Sequence, residues 1–418
     1  MGWHQAKDGR AGPGRARMER AARSGGVPSS LMRPDIANYG GREQAYVKHH
    51  FLADYVEKLV FKVASHRDVV YVDGFSGPWK DQGENFEDTS FGIALEALRR
   101  AKQAWARLGR GDRKMTALLV EKDPQAYERL QEIIPRYPDI TITTFNDDFV
   151  KVVPDLLAAI PDDAFSFVLM DPKGWKIDMH AVAPLLSRSN CEVVFNFMFT
   201  MINWSASMPN AAIQAGLEAL MPATAWKAKL DDLEVVAGET VAEARKRVLV
   251  SAISSVVERL GGYPFVMETP VLFPTKDRTF YSLIYATRST KGIEVFRDCQ
   301  HATLKAQDQV RADLQTAKRD DLFGTADMFG SPMTGNEFAG RWMAEQEALA
   351  REALLNRVPI GPQSIAYGAL WPPILAQYGV RKTRLGRIAA ELKDRGDIRF
   401  LDWGHRKQVP DDGYRVTR

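Results

Sequence analysis

The sequence predicts an α/β fold built on a mostly parallel sheet. Apolar runs that end in an acid recur at VVYVD (69–73), ALLVE (117–121) and SFVLMD (166–171). Stretches with helical spacing of apolar residues separate them. Two later runs, FVMETPVLF (265–273) and TFYSLIYATR (279–288), joined by PTKDR, read as a closing antiparallel hairpin. Alternation of strand and helix implies a parallel sheet covered on both faces, so its strands are apolar throughout rather than every second residue.

The elements follow in order. Residues 1–40 form a basic tail rich in Gly, Ser and Arg, with Arg10, Arg15, Arg17, Arg20 and Arg23 close together. It has too little apolar surface to fold alone and is expected to be flexible, with Met18 and Met32 as rival start sites. Tyr46, Phe51, Tyr55, Leu59 and Val63 recur at helical spacing and predict an amphipathic helix over 42–66. The first strand then runs into the loop GFSGPW. Helices are expected over 90–108, 124–134 and 148–159, with strands at 117–121, 140–145 and 166–171. CEVVFNFMF (191–199) is a fourth long apolar run. Residues 200–240, with Trp204, Pro209, Pro222 and Trp226, break the rhythm and read as an inserted cap. A helix over 241–260 and the hairpin complete a domain spanning 41–310.

Residues 311–355 read as a charged helical linker with a Gly/Pro/Met-rich break at 324–335. The last part, 356–418, reads as a separate winged-helix-like module: helix 362–377, a turn at Gly379, helix 382–395, then strands IRFLDW (398–403) and YRVT (414–417). Lys382, Arg384, Arg387, Lys393 and Arg395 crowd its second helix, and Arg399, Arg406 and Lys407 lie on the expected wing. Nucleic acid is the partner expected there, through 382–407, by phosphate contact.

Composition narrows the function classes. A net charge of +3 and a pI near 8.6 permit nucleic acid as a partner without demanding it. Two cysteines, Cys191 and Cys299, exclude a disulfide scaffold and an all-cysteine zinc site, and no metal is expected. No apolar run approaches the ~20 residues that span a bilayer. The basic N-terminus lacks the apolar stretch of a signal peptide. A soluble, cytoplasmic protein is therefore expected.

Parallel-sheet enzymes bind ligands outside the carboxyl ends of their strands. Asp73, Glu121 and Asp171 close successive strands and are expected to converge on one crevice. Gly74 and Gly77, flanking Phe75 in the first loop, let backbone approach a ligand. The chain lacks the GxGxxG fingerprint and its nearby ribose acid, which disfavours a nicotinamide dinucleotide. An acid at the end of the first strand suits a ligand with positive charge, such as the sulfonium and amino groups of S-adenosyl-L-methionine. Glu121 would bind the ribose diol, and Asn146, Asp147 or Asp148 the adenine amine. The other reading of such acids is that they cap the helices that follow. A pocket plugged by Trp79 or Trp175 would argue against catalysis. His49 and His50 are adjacent on a helix, poor geometry for a shared metal. Lys48, Asn196, Asn203 and Trp204 are further candidates to line the pocket. No nucleophile elbow or phosphate-binding P-loop occurs.

Asp171-Pro172-Lys173-Gly174-Trp175 resembles the (D/N)PP(Y/F/W) motif of exocyclic-amine methyltransferases, and more closely the DPxG form in some RNA guanine-N2 methyltransferases. Lys173 stands in place of the second proline, and the aromatic comes one position late. The resemblance implies that Asp171 and the Pro172 carbonyl accept from the target amine and that Trp175 stacks on the base. Over about 42–300 the chain also resembles the three-Cys-motif partner (TcmP) proteins. The segments are KHHFLADYVEKLVFKV, YVDGFSGPW, LLVEKDP, VLMDPKGW, VVFNFMFTMINW and FYSLIYATRSTKGIEVFRD. That family is methyltransferase-like and is named for pairing with a radical-SAM-like protein carrying three cysteines. The expectation is a class I methyltransferase sheet that transfers methyl from S-adenosylmethionine to an amine of a DNA or RNA base. The alternative is a non-catalytic partner subunit that binds nucleic acid and targets a three-Cys-motif protein.

Overall fold

The computed structural model describes residues 33–77, 86–109, 113–323, 337–404 and 407–418. The basic tail through residue 32, Trp79, the break at 324–335 and Arg406 lie outside them. Seven strands build the main sheet: β1 (Val69–Asp73), β2 (Met115–Val120), β3 (Thr141–Phe145), β4 (Phe165–Met170), β5 (Cys191–Phe197), β6 (Phe265–Leu272) and β7 (Thr279–Thr287). Their order is β3-β2-β1-β4-β5-β7-β6, with β1 to β5 parallel and β7 antiparallel to both neighbours. This is a Rossmann-like α/β sheet of the class I methyltransferase type, as expected.

Period-two alternation divides the strands' side chains between two cores. Val69, Tyr71, Ala117, Leu119, Phe167, Leu169 and Val194 face one core. It is covered by α1 (Glu43–Val63), α2 (Ser90–Arg107) and the long α10 (Thr290–Phe323). Val70, Val72, Leu118, Val120, Val168 and Val193 face the other. That side is covered by α4 (Phe149–Ala159), α5 (Met179–Leu186) and α9 (Val241–Gly261), while α3 (Pro124–Gln131) follows β2. The expected cap consists of three short helices, α6 (Phe199–Ala206), α7 (Ala211–Leu220) and α8 (Trp226–Asp231). Leu217, Leu220 and Trp226 tie it to the second core.

Helix α1 is bolted to the sheet by a buried polar knot. Tyr55 Oη donates to Glu192 Oε2 at 2.5 Å, and Thr287 Oγ1 donates to Glu192 Oε1 at 2.7 Å. Burial pushes the Glu192 carboxyl above its ordinary value, and bonds from Tyr55 and Thr287 oppose that rise.

The C-terminal segment contains α11 (Glu337–Arg357), β8 (Ile365–Ala366), α12 (Tyr367–Gln377), α13 (Lys382–Arg395), β9 (Arg399–Phe400) and β10 (Arg415–Thr417). The expected helix over 362–377 begins only at Tyr367, because Ile365 and Ala366 pair antiparallel with β10, giving the sheet order β8-β10-β9. The segment does not stand apart as expected: residues Pro34–Arg418 form one compact unit. Leu370, Trp371 and Ile374 belong to the same apolar core as Phe296 and Met267. Buried Arg297 donates to the carbonyls of Leu375 and Ala376, at 2.7 and 3.0 Å, satisfying the end of α12. No described helix is long and apolar enough to cross a membrane.

Candidate functional site

A cleft of about 710 Å³ opens at the carboxyl ends of β1, β2, β4 and β5. Gly74, Phe75, Gly77, Glu121, Asp147, Asp148, Asp171, Pro172, Lys173, Gly174 and Trp175 all line it. Of the residues expected at the site, Asp73, Asn146, Asn203 and Trp204 do not line it.

Register explains the absence of Asp73. Asp73 pairs with Leu119 on one side and Leu169 on the other, so Glu121 and Asp171 lie two residues further out. One pleat repeat is about 6.6 Å, which puts Asp73 beneath the floor. It is fully buried, and its carboxylate accepts from Phe75 N at 3.0 Å, Tyr71 Oη at 2.9 Å and Ser90 Oγ at 2.6 Å. Burial raises its affinity for a proton and these three donors oppose that rise. The expected contact between Asp73 and a ligand is therefore replaced by a structural role: Asp73 fixes the first loop. Gly74 continues the same job. A Cβ there would lie 2.8 Å from the Phe149 ring, so only glycine lets the loop pass.

Glu121 stands just beyond β2 and is 4% exposed. Asp123 N donates to its Oε1 at 2.7 Å, while the Asn146 amide donates to the Glu121 carbonyl at 2.8 Å. Asn146 thus supports Glu121 and is absent from the cleft lining. Burial again raises the Glu121 carboxyl, with the Asp123 N–H bond and nearby Lys173 opposing the shift. Asp148 lines the cleft and also caps α4 through Val150 N at 3.1 Å. Asp147 is exposed, and its pKa is lowered by the N–H of Asp148, at 2.7 Å, and by Lys151. Asp148 thus caps a helix and faces the cleft at once.

Asp171 is held on both oxygens. Lys48 Nζ, from α1, donates to Oδ2 and Asn196 Nδ2, from β5, donates to Oδ1. The parity of the strands brings this about. Asp171 shares the face of Leu169, Asn196 shares that of Val194, and α1 covers that face. Gly174 has φ 144°, a conformation that favours glycine, beside Met201 Sδ. Trp175 is half-buried against Gly216 of α7 and leaves the cleft open. Asn203 accepts from Arg245 Nε at 2.7 Å, and Trp204 is 66% exposed; neither lines the cleft.

The start of α1 contributes Lys48, as expected, together with Arg42, Gln44 and His49, whose place in the cleft sequence reasoning missed. Tyr281 of β7 also lines it and donates to the Gln44 carbonyl, fastening the start of α1. Arg42 is paired with Asp88 at 2.7 Å. His49 and Tyr39 are hydrogen-bonded at 2.9 Å, and burial lowers the His49 pKa well below its ordinary value. That keeps the ring neutral.

Sheet order and strand directions define a Rossmann-like α/β protein with a methyltransferase-type sheet. No family model and no curated protein matches the chain. Among solved structures it is similar to protein LPL1258 from Legionella pneumophila strain Philadelphia 1. The two are 12% identical over 61% of this chain and 86% of that one, with a TM-score of 0.34. It is also similar to the precorrin-6y C5,15-methyltransferase of Geobacter metallireducens GS-15, at 14% identity over 56% of this chain and 87% of that one, with a TM-score of 0.25. The fold class rests on the strand order and directions, not on these distant likenesses.

Proposed function

We propose that the chain binds S-adenosylmethionine in this cleft and methylates an amine of a DNA or RNA base. The observation that carries the reading is the gathering of Gly74, Gly77, Glu121 and Asp148 around one cleft, from the ends of three neighbouring parallel strands. When bound, S-adenosylmethionine supplies an electrophilic methyl group.

The chain's own donors and acceptors fit that ligand. Asp123 N orients the carboxylate of Glu121, which lines the cleft and can accept from a ribose hydroxyl. Phe75 and Phe149, tilted at 51° and 5.5 Å apart, form an apolar wall beside Asp148, suited to an adenine ring and its amine. Asp171 to Trp175 form the acceptor end. There the rigid turn orients the acceptor, and orientation supplies much of the acceleration in such a transfer.

A second reading is favoured by one observation: both oxygens of Asp171 are already bonded to side chains of this chain. In that reading the protein keeps the fold without turnover, serves a three-Cys-motif partner and contacts nucleic acid through its C-terminal segment. The helix–strand–helix–helix–strand–strand order there supports a winged-helix-like module. Exposed Arg387, Arg395 and Arg399 would touch phosphate, because Lys382 and Arg384 are paired with Asp412 and Glu347 at 3.0 and 2.8 Å.

Calorimetric titration with S-adenosylhomocysteine tests the first reading. Absence of binding, alone and with nucleic acid present, would remove it.

A further inference from the structure

We propose that Asn196 is the residue that selects the methyl acceptor, its carbonyl oxygen Oδ1 accepting a hydrogen bond from the acceptor's amine N–H. The proposal rests on the methyltransferase reading and assigns to Asn196 the amine contact that sequence resemblance gives to Asp171.

Asn196 lies in β5, lines the cleft and is 3% exposed. Its amide has one chemically consistent orientation. A carboxylate only accepts, so the edge of Asn196 against Asp171 must be the NH₂ group, and the carbonyl oxygen must be the other edge. The same NH₂ group also lies 3.6 Å from Met198 Sδ. Oδ1, by contrast, is buried and has no hydrogen-bond partner among the described residues. Folded proteins rarely leave a buried carbonyl oxygen unbonded, since it has lost water and gained nothing. An orphan of this kind in the wall of a ligand cleft marks the place where a ligand's donor completes the network.

The neighbours agree on what that donor is. Asp171 has one oxygen on Lys48 and the other on Asn196, so each of its oxygens already accepts from a side chain of this chain, whereas Oδ1 of Asn196 accepts from none. Tyr281 already donates its hydroxyl proton to the Gln44 carbonyl. The remaining wall at this end is Met198, Met201, Phe280 and Trp175, which present apolar surface to a flat ring. A nucleobase amine therefore meets an unsatisfied side-chain acceptor beside apolar surface. A base bearing hydrogen in place of that amine leaves Oδ1 orphaned, and sites of this design discriminate strongly against such analogues. Lys48 acts at one remove: by neutralising Asp171 it keeps the carboxylate bonded to the Asn196 amide, which aims Oδ1.

Matched nucleoside pairs test this in protein saturated with S-adenosylhomocysteine, which blocks the adenine subsite of the cofactor. Adenosine, guanosine and cytidine are each titrated against the riboside that lacks only the exocyclic amine, with binding read by ligand-observed NMR. One pair is expected to differ by about tenfold or more in the wild type, and the difference to collapse to about twofold in Asn196→Leu. The ratio within a pair cancels any general loss of affinity. S-adenosylhomocysteine affinity and thermal midpoint, measured on each variant, report its folding. If Asn196→Leu does not fold, Asn196→Ala carries the same comparison. No discrimination in the wild type, or discrimination that survives in the variant, overturns the proposal. Failure of S-adenosylhomocysteine to bind at all is a separate result; it overturns the methyltransferase reading and this proposal with it.

Discussion

Lys48 and Asp171 are ion-paired across the cleft although 123 residues separate them in sequence. The lysine comes from the second turn of α1 and the aspartate from the residue after β4, and both side chains are mostly buried. This contact closes one end of the cleft with a helix that precedes the entire sheet in the chain. Removing either partner leaves a charge with little water to solvate it.

Lys48→Met and Asp171→Asn are each expected to cost about 1–3 kcal/mol of stability, with the double variant recovering part of the loss. Denaturant unfolding of the four proteins in the cycle measures the coupling. Strict additivity would mean that the pair contributes nothing. Asp171→Ala is expected to abolish methyl transfer while leaving S-adenosylhomocysteine affinity within a few-fold, because its partners are the acceptor-end residues Lys48 and Asn196.

Glu121 and Asp73 are expected to fail differently. Glu121→Ala should weaken S-adenosylhomocysteine binding by about tenfold or more, as for the loss of a charged hydrogen bond, with little change in stability. Asp73→Ala removes the acceptor for Phe75 N, Tyr71 and Ser90, so it should lower the thermal midpoint as well as binding. Calorimetry beside thermal unfolding separates the two. A stable Asp73→Ala protein that has lost only binding would restore Asp73 to a direct ligand role.

Acid destabilisation should have an identifiable source at His301. Burial lowers its pKa from 6.5 to about 4, with a bond to the Gly379 carbonyl at 2.7 Å partly opposing the shift. The unfolded chain binds a proton below about pH 6.5, whereas the folded chain resists until about pH 4. The contribution is thus present above pH 6.5 and lost as pH falls towards 4, by up to about 3 kcal/mol. His301→Gln keeps a donor for the carbonyl but cannot titrate. Its thermal midpoint should fall less steeply than that of the wild type between pH 7 and 4; parallel curves would exclude His301 as a source.

Deleting 356–418 would strip Leu370, Trp371 and Ile374 from a shared core, so point changes are the better probe of nucleic-acid contact. Arg387→Glu, Arg395→Glu and Arg399→Glu together are expected to weaken duplex binding by at least about tenfold at low salt. The cofactor site should be unaffected. Fluorescence anisotropy with a labelled duplex reads the first, and calorimetry the second. Unchanged duplex affinity would reassign this face to protein docking.

The strands, their order of appearance and the acids at their ends were legible because apolar runs and helical periodicity are local signals. So were Glu121, Asp148 and the turn from Asp171 to Trp175, whose places follow from lying just past a strand. Strand parity, which puts Asp171 and Asn196 on the face covered by α1, is also implicit in the sequence. Register is not. Whether Asp73 lies level with Glu121 or one pleat below it depends on how three strands slide against one another. That is set by side-chain packing between segments far apart in the chain. Helix α1 was legible as a helix, but which of its polar residues enters the cleft was decided by docking, through the Tyr55–Glu192–Thr287 knot. The C-terminal helices read as a separate unit because their local pattern is complete, yet Arg297 and the shared apolar core join them to α10. Pattern fixes what each element is, whereas burial of distant surfaces against one another fixes which side chains meet.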